Sequence, residues 1–395
     1  MSKTVVLGID AWYPQVDGVT NVVVSYRSEL EQKDWNCKIV APSYGRDSDA
    51  HGEEEYCGKV FHNRSLAVPF LSFRNSTPGT DIKLKKCLDE LKPDILHAHS
   101  PFAICSYFVR YGKKHNIPVV FTFHTKFRDE FMRVTHSRLI TFIMMKAIMR
   151  NVNKVKYVWA VSESSAKTLK EYGYKGEIKV MRNGTDMPVL SASELASLSS
   201  EIEKEYGISP DERILLYTGR VVSVKNLKFS FAVLAELKRR GFKCRFFVVG
   251  GGDELEAHKK IAEKMGLSDV VVFTGFIGDR NKLRAFYARA NLFLLPSVFD
   301  NAPLVVIEAA SCHTPSLVPA GSSAAEVISD GKTGYCERLE VPLWADRIEK
   351  IFSDSEYAEL CEACTSVVYT WRDAVSDAEE EYRNIIADYA SHSEK

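Results

Sequence analysis

The chain alternates strand-like and helix-like segments, and this alternation restricts its fold more than any other feature. Short apolar runs that end in glycine or polar residues predict strands, and longer periodic stretches between them predict helices. Strands that alternate with helices form a mostly parallel sheet. The predicted strands are residues 4–9, 37–41, 95–98, 119–123, 157–161 and 178–181, then 213–218, 245–249, 270–273, 292–295 and 316–318.

The alternation stops and restarts around a polar stretch from Met187 to Pro210. A chain of 395 residues is also too long for one hydrophobic core. We therefore predict an α/β protein with two Rossmann-like domains, residues 1–188 and 189–370, that face each other across a cleft. Residues 371–395 contain an amphipathic helical pattern, which we expect to cross back onto the first domain.

Composition narrows the setting in which the protein works. No apolar run approaches the roughly 18 to 20 residues of a membrane span, and the N-terminus lacks the layout of a signal peptide. Nine cysteines are scattered without a paired framework, which favours a reducing compartment. The sequence thus predicts a cytoplasmic protein, and we expect no nucleic-acid partner.

Two acidic residues, Asp300 and Glu308, follow the apolar run Leu292–Leu295 with seven residues between them. This spacing predicts one carboxylate at the carboxyl end of a strand and the other in the next helix. Ligands of open α/β sheets bind at that edge, where carboxylates can accept hydrogen bonds from sugar or ribose hydroxyls. A helix N-terminal charge and a surface acid are the alternative interpretation.

Glycines stand in three further loops that follow predicted strands. Gly18 precedes a helix that begins at about Thr20, and a glycine there lets backbone N–H groups approach a phosphate. Gly219 ends a strand and is followed by Arg220 and Lys225, two cations that can neutralise a diphosphate or can simply be surface charges. Gly250 begins a glycine run that can cap the following helix or approach a phosphate.

Histidines stand at two other strand ends. His124 follows the strand of residues 119–123, where it can bond a sugar hydroxyl or serve a structural role. His97 and His99 point to the same side of a strand, with no acid or cysteine within two residues of either in the sequence. We therefore predict no metal site and no cofactor.

The segment from Lys126 to Lys156 combines basic and bulky apolar residues. It carries eight lysines and arginines, and only Asp129 and Glu130 as acids. Such a segment can lie on an anionic membrane surface. A core helix with a solvated basic face is the alternative.

Together these motifs resemble the GT-B-fold, family 4 retaining glycosyltransferases over nearly the whole chain. The matching positions follow the family's order: Gly18, His124, Gly219-Arg220 with Lys225, Gly250, Phe276, Pro296 through Glu308, Gly321, Glu326 and Asp330 through Gly334. Two positions depart from the usual pattern. Asp300 stands where the family usually has glutamate, and Ser322-Ser323 follows Gly321 where a second glycine is common.

The resemblance implies a role for each site residue. Arg220 and Lys225 would hold the diphosphate of a nucleotide-sugar donor, and Glu308 its ribose. Asp300 would hold the transferred sugar, and His124 a sugar hydroxyl near the reacting carbon. The remaining donor-binding positions implied are Gly18, Gly219, Gly250, Phe276, Ile277, Ala302, Pro303 and Leu304.

The resemblance also implies an activity. We expect transfer of a hexose from a UDP-sugar such as UDP-glucose, by front-face displacement because no nucleophile is evident, and without a metal. Lys126 to Lys156 is similar to the acceptor region of diacylglycerol glucosyltransferases and of enzymes for lipid-linked polysaccharides. The expected acceptor is therefore a lipid or lipid-linked glycan at the inner face of a membrane. Alternatives are a transferase for a soluble glycan, a sugar-nucleotide 2-epimerase, and a sugar-nucleotide-binding protein without activity.

Overall fold

The computed structural model describes residues 2–13, 18–45, 59–67, 74–298 and 304–393. The chain forms two compact units. The N-terminal unit comprises Met1–Asn183 and Trp371–Lys395, and the C-terminal unit comprises Gly184–Thr370. The C-terminal segment Trp371–Lys395 thus belongs to the N-terminal unit.

The N-terminal unit is built on a parallel sheet. Its strands are β1 (Thr4–Gly8), β2 (Asn36–Pro42), β3 (Val60–Asn63), β4 (Ser65–Ala67), β5 (Arg74–Ser76), β6 (Ile95–Ala98), β7 (Val119–Phe123), β8 (Tyr157–Ala160) and β9 (Ile178–Val180). Within the described ranges, seven of them pair in the order β3-β2-β1-β6-β7-β8-β9, and β4 pairs with β5 as an antiparallel ribbon. The flanking helices are Gly18–Gln32, Ile82–Leu91, Ala103–His115, Phe127–Thr135, Arg138–Val152 and Glu163–Glu171.

The C-terminal unit repeats this plan. Its strands are β10 (Ile214–Thr218), β11 (Arg245–Val249), β12 (Val271–Gly275), β13 (Leu292–Leu294), β14 (Ser316–Pro319) and β15 (Tyr335–Glu337), paired in the order β12-β11-β10-β13-β14-β15. Its helices are Ala192–Tyr206, Leu227–Arg239, Leu255–Lys264, Arg280–Arg289, Leu304–Ser311, Val341–Ile351 and Tyr357–Cys364. Every residue of β10 is buried, because helices cover both faces of the sheet. The predicted α/β architecture is confirmed.

Each sheet has a point where the strand order reverses, between β1 and β6 in the first and between β10 and β13 in the second. Chain segments that leave neighbouring strands at such a point run to opposite faces of the sheet. The gap that this opens at the carboxyl edge is the usual ligand site of open α/β sheets. The loops after β10 and β13 therefore form the candidate ligand site of the C-terminal unit.

The C-terminal helix Trp371–Ser393 packs on the N-terminal unit. Tyr382 is fully buried and stacks on Trp159 with 5.2 Å between the ring centroids. Nearer the end of the helix, Asp388 accepts a hydrogen bond of 2.9 Å from the Lys156 ammonium. Aromatic burial thus supplies the main attachment, since an exposed ion pair contributes about 1 kcal/mol at most.

Two features of the fold differ from the sequence interpretation. The polar stretch Met187–Pro210 holds the helix Ala192–Tyr206, which starts with a capping box between Ser191 and Glu194. Ile202 is fully buried and Leu195 and Leu198 are partly buried against the core, while most of the other residues of the helix are polar or small. The strands β3, β4, β5 and β15 were missed, because each has three or four residues that include polar ones and therefore forms no apolar run.

Candidate functional site

Two glycine turns lie against each other at the carboxyl edge of the second sheet. The N–H of Gly219 donates to Val249 O at 3.0 Å, and that of Val221 donates to Gly251 O at 2.8 Å. A Cβ atom on Gly250 would come within 1.9 Å of Gly219 O, and the φ of Gly250 is +151°. Only glycine allows this approach, so the loop after β10 is held in place by backbone contacts.

The two predicted cations extend from this loop. Arg220 is exposed, and Lys225 lies at the end of the 3₁₀ turn Ser223–Lys225. Glu254 anchors that turn, because its carboxylate accepts hydrogen bonds from both the backbone N–H and the hydroxyl of Ser223. Both cations therefore leave a fixed loop at the edge where an anionic ligand would bind.

The loops on either side of the strand-order reversal are joined by hydrogen bonds. Asn226 Nδ2 donates to Pro296 O at 3.2 Å, and Ser297 Oγ donates to Val224 O at 3.4 Å. The segment after β13 thus starts next to the Lys225 turn. Asp300, Ala302 and Pro303 lie outside the described residues, while Leu304 begins the helix Leu304–Ser311.

Glu308 sits in that helix and is only 8% exposed. Its two carboxylate oxygens have different partners. Arg280 Nη2 donates to Oε1 at 3.0 Å, and the Tyr287 hydroxyl donates to Oε2 at 3.0 Å. The carboxylate is therefore held between a cation and a phenol, with lone pairs left to accept further hydrogen bonds.

The Phe276-Ile277 segment follows the last residue of β12, Gly275. Phe276 is 82% exposed, whereas Ile277 packs against the core of the C-terminal unit. A large aromatic side chain that remains exposed at a sheet edge offers a flat surface to a ligand ring.

In the N-terminal unit, His124 follows β7 and belongs to a buried cluster. Its Nε2 lies 3.0 Å from Nδ1 of His99, and the two rings stack with centroids 5.2 Å apart. His97 lies beside His99 and bonds Thr122 through Nε2 at 2.6 Å and the Tyr382 hydroxyl through Nδ1. Hydrogen bonds thus engage both ring nitrogens of His97 and one of His99.

Burial determines the charge of this cluster. It lowers the pKa of His124 to about 3. It also lowers the pKa values of His97 and His99 well below the ordinary histidine range, with a smaller contribution from neighbouring imidazoles. These histidines are therefore neutral at pH 7 and can act on a ligand only as hydrogen-bonding groups.

Gly18 and Asp10 both follow β1, and they differ in burial. Gly18 begins the helix Gly18–Gln32 and is exposed, and a Cβ atom there would meet nothing within 4 Å. Asp10 follows β1, and among the described residues neither of its buried carboxylate oxygens has a hydrogen bond of ordinary geometry. Burial raises the pKa of Asp10 to about 7, against smaller opposing effects of Ser76 and Ile104. The sequence analysis did not select Asp10.

The helix Arg138–Val152 has an apolar outer side at its start. The buried side consists of Thr141, Met145, Ile148, Met149 and Val152. The exposed side carries four large hydrophobic residues, which we call the apolar patch: Leu139, Ile140, Phe142 and Ile143. Arg138, Lys146 and Arg150 are exposed on the same helix. In the part of the chain that the structure describes, no helix has the length and apolarity to cross a bilayer.

Two family models match successive parts of the chain. The model described as Glycosyltransferase Family 4 matches residues 16–187, and the one described as Glycosyl transferases group 1 matches residues 199–367. The first match falls mostly in the N-terminal unit and the second within the C-terminal unit. The order of the two models is the order of the two units.

Relatives and solved structures extend this similarity. The chain is 25% identical over 330 residues to the alpha-monoglucosyldiacylglycerol synthase of Streptococcus pneumoniae, covering 82% of this chain and 73% of the relative. It is 25% identical over 390 residues to the GDP-mannose-dependent alpha-mannosyltransferase of Corynebacterium glutamicum, covering 96% and 88%. The crystal structure of Anabaena HepE in complex with UDP shares the fold, with a TM-score of 0.75, 16% identity and coverage of 97% and 100%.

Proposed function

Because the chain belongs to the GT-B glycosyltransferases of family 4, we propose that it transfers a hexose from a UDP-sugar to a lipid or lipid-linked acceptor at a membrane surface. The anomeric configuration is retained in this proposal. The observation that carries the lipid acceptor is the apolar patch, bordered by exposed cations on one helix of the N-terminal unit.

The donor is assigned to the carboxyl edge of the second sheet. Arg220 and Lys225 hold the diphosphate, because both are cationic side chains that leave a fixed loop. Glu308 accepts hydrogen bonds from the ribose, and Phe276 borders the base. UDP as the nucleotide is supported by the fold shared with HepE, which was solved with UDP, while the mannosyltransferase similarity makes GDP the first alternative to test.

The reaction follows from charge stabilisation and positioning. The bond between the anomeric carbon and the diphosphate oxygen breaks while the acceptor hydroxyl attacks from the same face. The departing phosphate oxygen takes the proton of that hydroxyl, so the products are the glycoside and the protonated nucleoside diphosphate. Arg220 and Lys225 stabilise the charge that grows on the leaving group, which is the principal contribution of the protein in such a step. Asp300 and His124 hold the transferred sugar.

The apolar patch supports a membrane acceptor for two reasons. Large hydrophobic side chains grouped on the surface of one helix favour contact with another apolar phase. Arg138, Lys146 and Arg150 lie on the same helix, and a basic residue near an anionic leaflet contributes about 1 kcal/mol to binding. The similarity to a monoglucosyldiacylglycerol synthase agrees with an acceptor that resides in a bilayer.

The test is a donor panel with and without lipid. The full chain is incubated with UDP-glucose, UDP-galactose, UDP-N-acetylglucosamine or GDP-mannose, in the presence or absence of phosphatidylglycerol vesicles that contain diacylglycerol. Released nucleotide and glycolipid are both measured. The proposal predicts release with one donor and only with vesicles, together with one new glycolipid.

Other outcomes would redirect the assignment. Release that requires a soluble glycan would keep the transferase and remove the lipid acceptor. Conversion of a nucleotide sugar into its 2-epimer without nucleotide release would identify an epimerase. Donor binding without any turnover would identify a binding protein.

A further inference from the structure

The carboxylate of Glu308 receives both of its side-chain donors from one helix. Arg280 is the first residue of the helix Arg280–Arg289, and Tyr287 lies seven residues later. Seven residues are close to two helical turns, so both side chains leave the same face. The helix therefore delivers one donor to each oxygen of a single carboxylate.

The N-terminus of this helix is fixed by a side-chain cap. Asp279 caps the helix by accepting hydrogen bonds from the N–H groups of Asn281 at 2.8 Å and Lys282 at 3.3 Å. The guanidinium of Arg280 donates hydrogen bonds to two carboxylates. Its Nε and Nη2 bond the carboxylate of Asp186, and Nη2 also reaches Glu308. This fork fixes the plane of the guanidinium as well as its position.

Tyr287 connects Glu308 to the loop that carries the proposed diphosphate ligands. The tyrosine is fully buried, and its oxygen also bonds the Thr218 hydroxyl. Because Tyr287 donates its proton to Glu308, Thr218 donates to Tyr287. Thr218 is the last residue of β10 and directly precedes Gly219. One hydrogen-bonded chain thus runs from the diphosphate loop to the carboxylate.

A stabilising ion pair alone explains this arrangement poorly. The Arg280 side chain is 44% exposed whereas that of Glu308 is 10% exposed, so the cost of desolvating the carboxylate offsets much of the attraction between the two charges. The pairing instead brings positive charge to a nearly buried carboxylate, and it leaves about two of the four lone-pair directions on Glu308 for a ligand. A diol is a ligand that can use both directions at once.

We propose that Arg280, together with Tyr287, positions the Glu308 carboxylate to accept hydrogen bonds from the ribose hydroxyls of the donor nucleotide. Arg280 is a positioning residue in this assignment, because it acts on the ribose through Glu308. The inference rests on the proposed function. It predicts that the part of the nucleotide affinity that depends on the ribose hydroxyls requires Arg280.

The test measures binding of UDP, 2′-deoxy-UDP and 3′-deoxy-UDP by calorimetry to the full chain. Wild-type protein is expected to bind UDP roughly 10-fold more tightly than at least one deoxy analogue, as a hydrogen bond to a charged group requires. The substitution Arg280→Met is expected to weaken UDP binding by roughly the same factor, with little change for that analogue. Arg280→Lys should restore part of the preference, and Tyr287→Phe should reduce it.

Arg239→Met is the matched control, since Arg239 forms an exposed ion pair with Glu236 in the same unit. It should leave all three affinities unchanged. An unchanged ratio of UDP to deoxy-UDP affinity in Arg280→Met would overturn the inference. So would an equal loss for all three nucleotides, because Arg280 would then bind a group other than the ribose.

The controls separate this inference from the proposed function. Wild-type protein that binds neither UDP nor GDP and releases no nucleotide would remove both. Wild-type protein that transfers sugar yet binds UDP and both deoxy analogues equally would remove only the positioning role. Circular dichroism melting curves verify that each variant is folded.

Discussion

Removing the apolar patch should detach the protein from lipid without harming its fold. Phe142 and Ile143 are 62% and 57% exposed, so more than half of each side chain remains to be buried. Full burial of such a side chain is worth about 1.5 to 3 kcal/mol, which leaves about 1 to 2 kcal/mol for each residue. The double substitution Phe142→Ser with Ile143→Ser should therefore weaken vesicle binding by about 2 to 4 kcal/mol, or roughly 30-fold or more.

Sedimentation with vesicles of phosphatidylcholine and phosphatidylglycerol measures this partition. The matched control is Ile82→Ser, because Ile82 is 83% exposed in the same unit but belongs to the helix Ile82–Leu91. Glycolipid formation should fall with vesicle binding, whereas nucleotide binding should not change. Partition of the double variant equal to that of wild type would refute the reasoning, and so would an equal loss in the Ile82 control.

Three further predictions concern the site and its charges. Lys225→Ala should lose about 2 to 4 kcal/mol of transition-state stabilisation, measured as slower turnover in the nucleotide-release assay. The control Lys243→Ala, at an exposed lysine, should keep the wild-type rate. Equal rates for the two variants would remove Lys225 from the site. EDTA should leave turnover unchanged, and restoration by Mg²⁺ or Mn²⁺ after a loss would show a metal requirement. Burial raises the pKa of Asp10 to about 7, so the folded protein keeps the carboxyl proton at pH values at which the unfolded chain has lost it. The contribution of the protonated carboxyl to the unfolding free energy is therefore lost as the pH rises from about 4 towards 7. The difference in unfolding free energy between Asp10→Asn and wild type should therefore grow by about 3 kcal/mol in favour of the variant from pH 5 to pH 8, as measured by urea titration. A difference that does not change with pH would contradict the raised pKa of Asp10.

Strand positions could be predicted because buried parallel strands are nearly continuous apolar runs. The strands Val119–Phe123 and Arg245–Val249 have the predicted bounds, and β10 starts one residue later than expected. The missed strands β3, β4, β5 and β15 are three or four residues long and include polar residues, so no apolar run marks them. The helix Ala192–Tyr206 did carry a signal, the capping-box residues Ser191 and Glu194, within a stretch interpreted only as polar.

The position of single side chains at the sheet edge could be predicted, but their partners could not. Residues that follow a parallel strand lie at its carboxyl edge whatever the rest of the fold, which is why His124 and Arg220 could be selected. The partners of Glu308 lie 21 and 28 residues away and reach it through the packing of two helices. The bond between His99 and His124 likewise joins neighbouring strands 25 residues apart. The shared direction of His97 and His99 on one strand was the available signal.

Burial of charge was the other property that the sequence did not reveal. Asp10 is a polar residue after a strand, as many surface residues are, and its pKa of about 7 comes from the side chains that cover it. The neutral state of His124 has the same origin. Desolvation depends on atoms from several elements, so no local pattern encodes it.

The most direct test of the proposed function follows the sugar itself. Radiolabelled UDP-glucose, or the donor chosen by the panel, is incubated with diacylglycerol in phosphatidylglycerol vesicles, and the lipids are extracted into organic solvent. We predict label in one α-glycosyl lipid, dependent on vesicles and strongly reduced by Lys225→Ala. Label that remains entirely in the aqueous phase with every donor, while the protein is folded and bound to vesicles, would contradict transfer to a lipid acceptor.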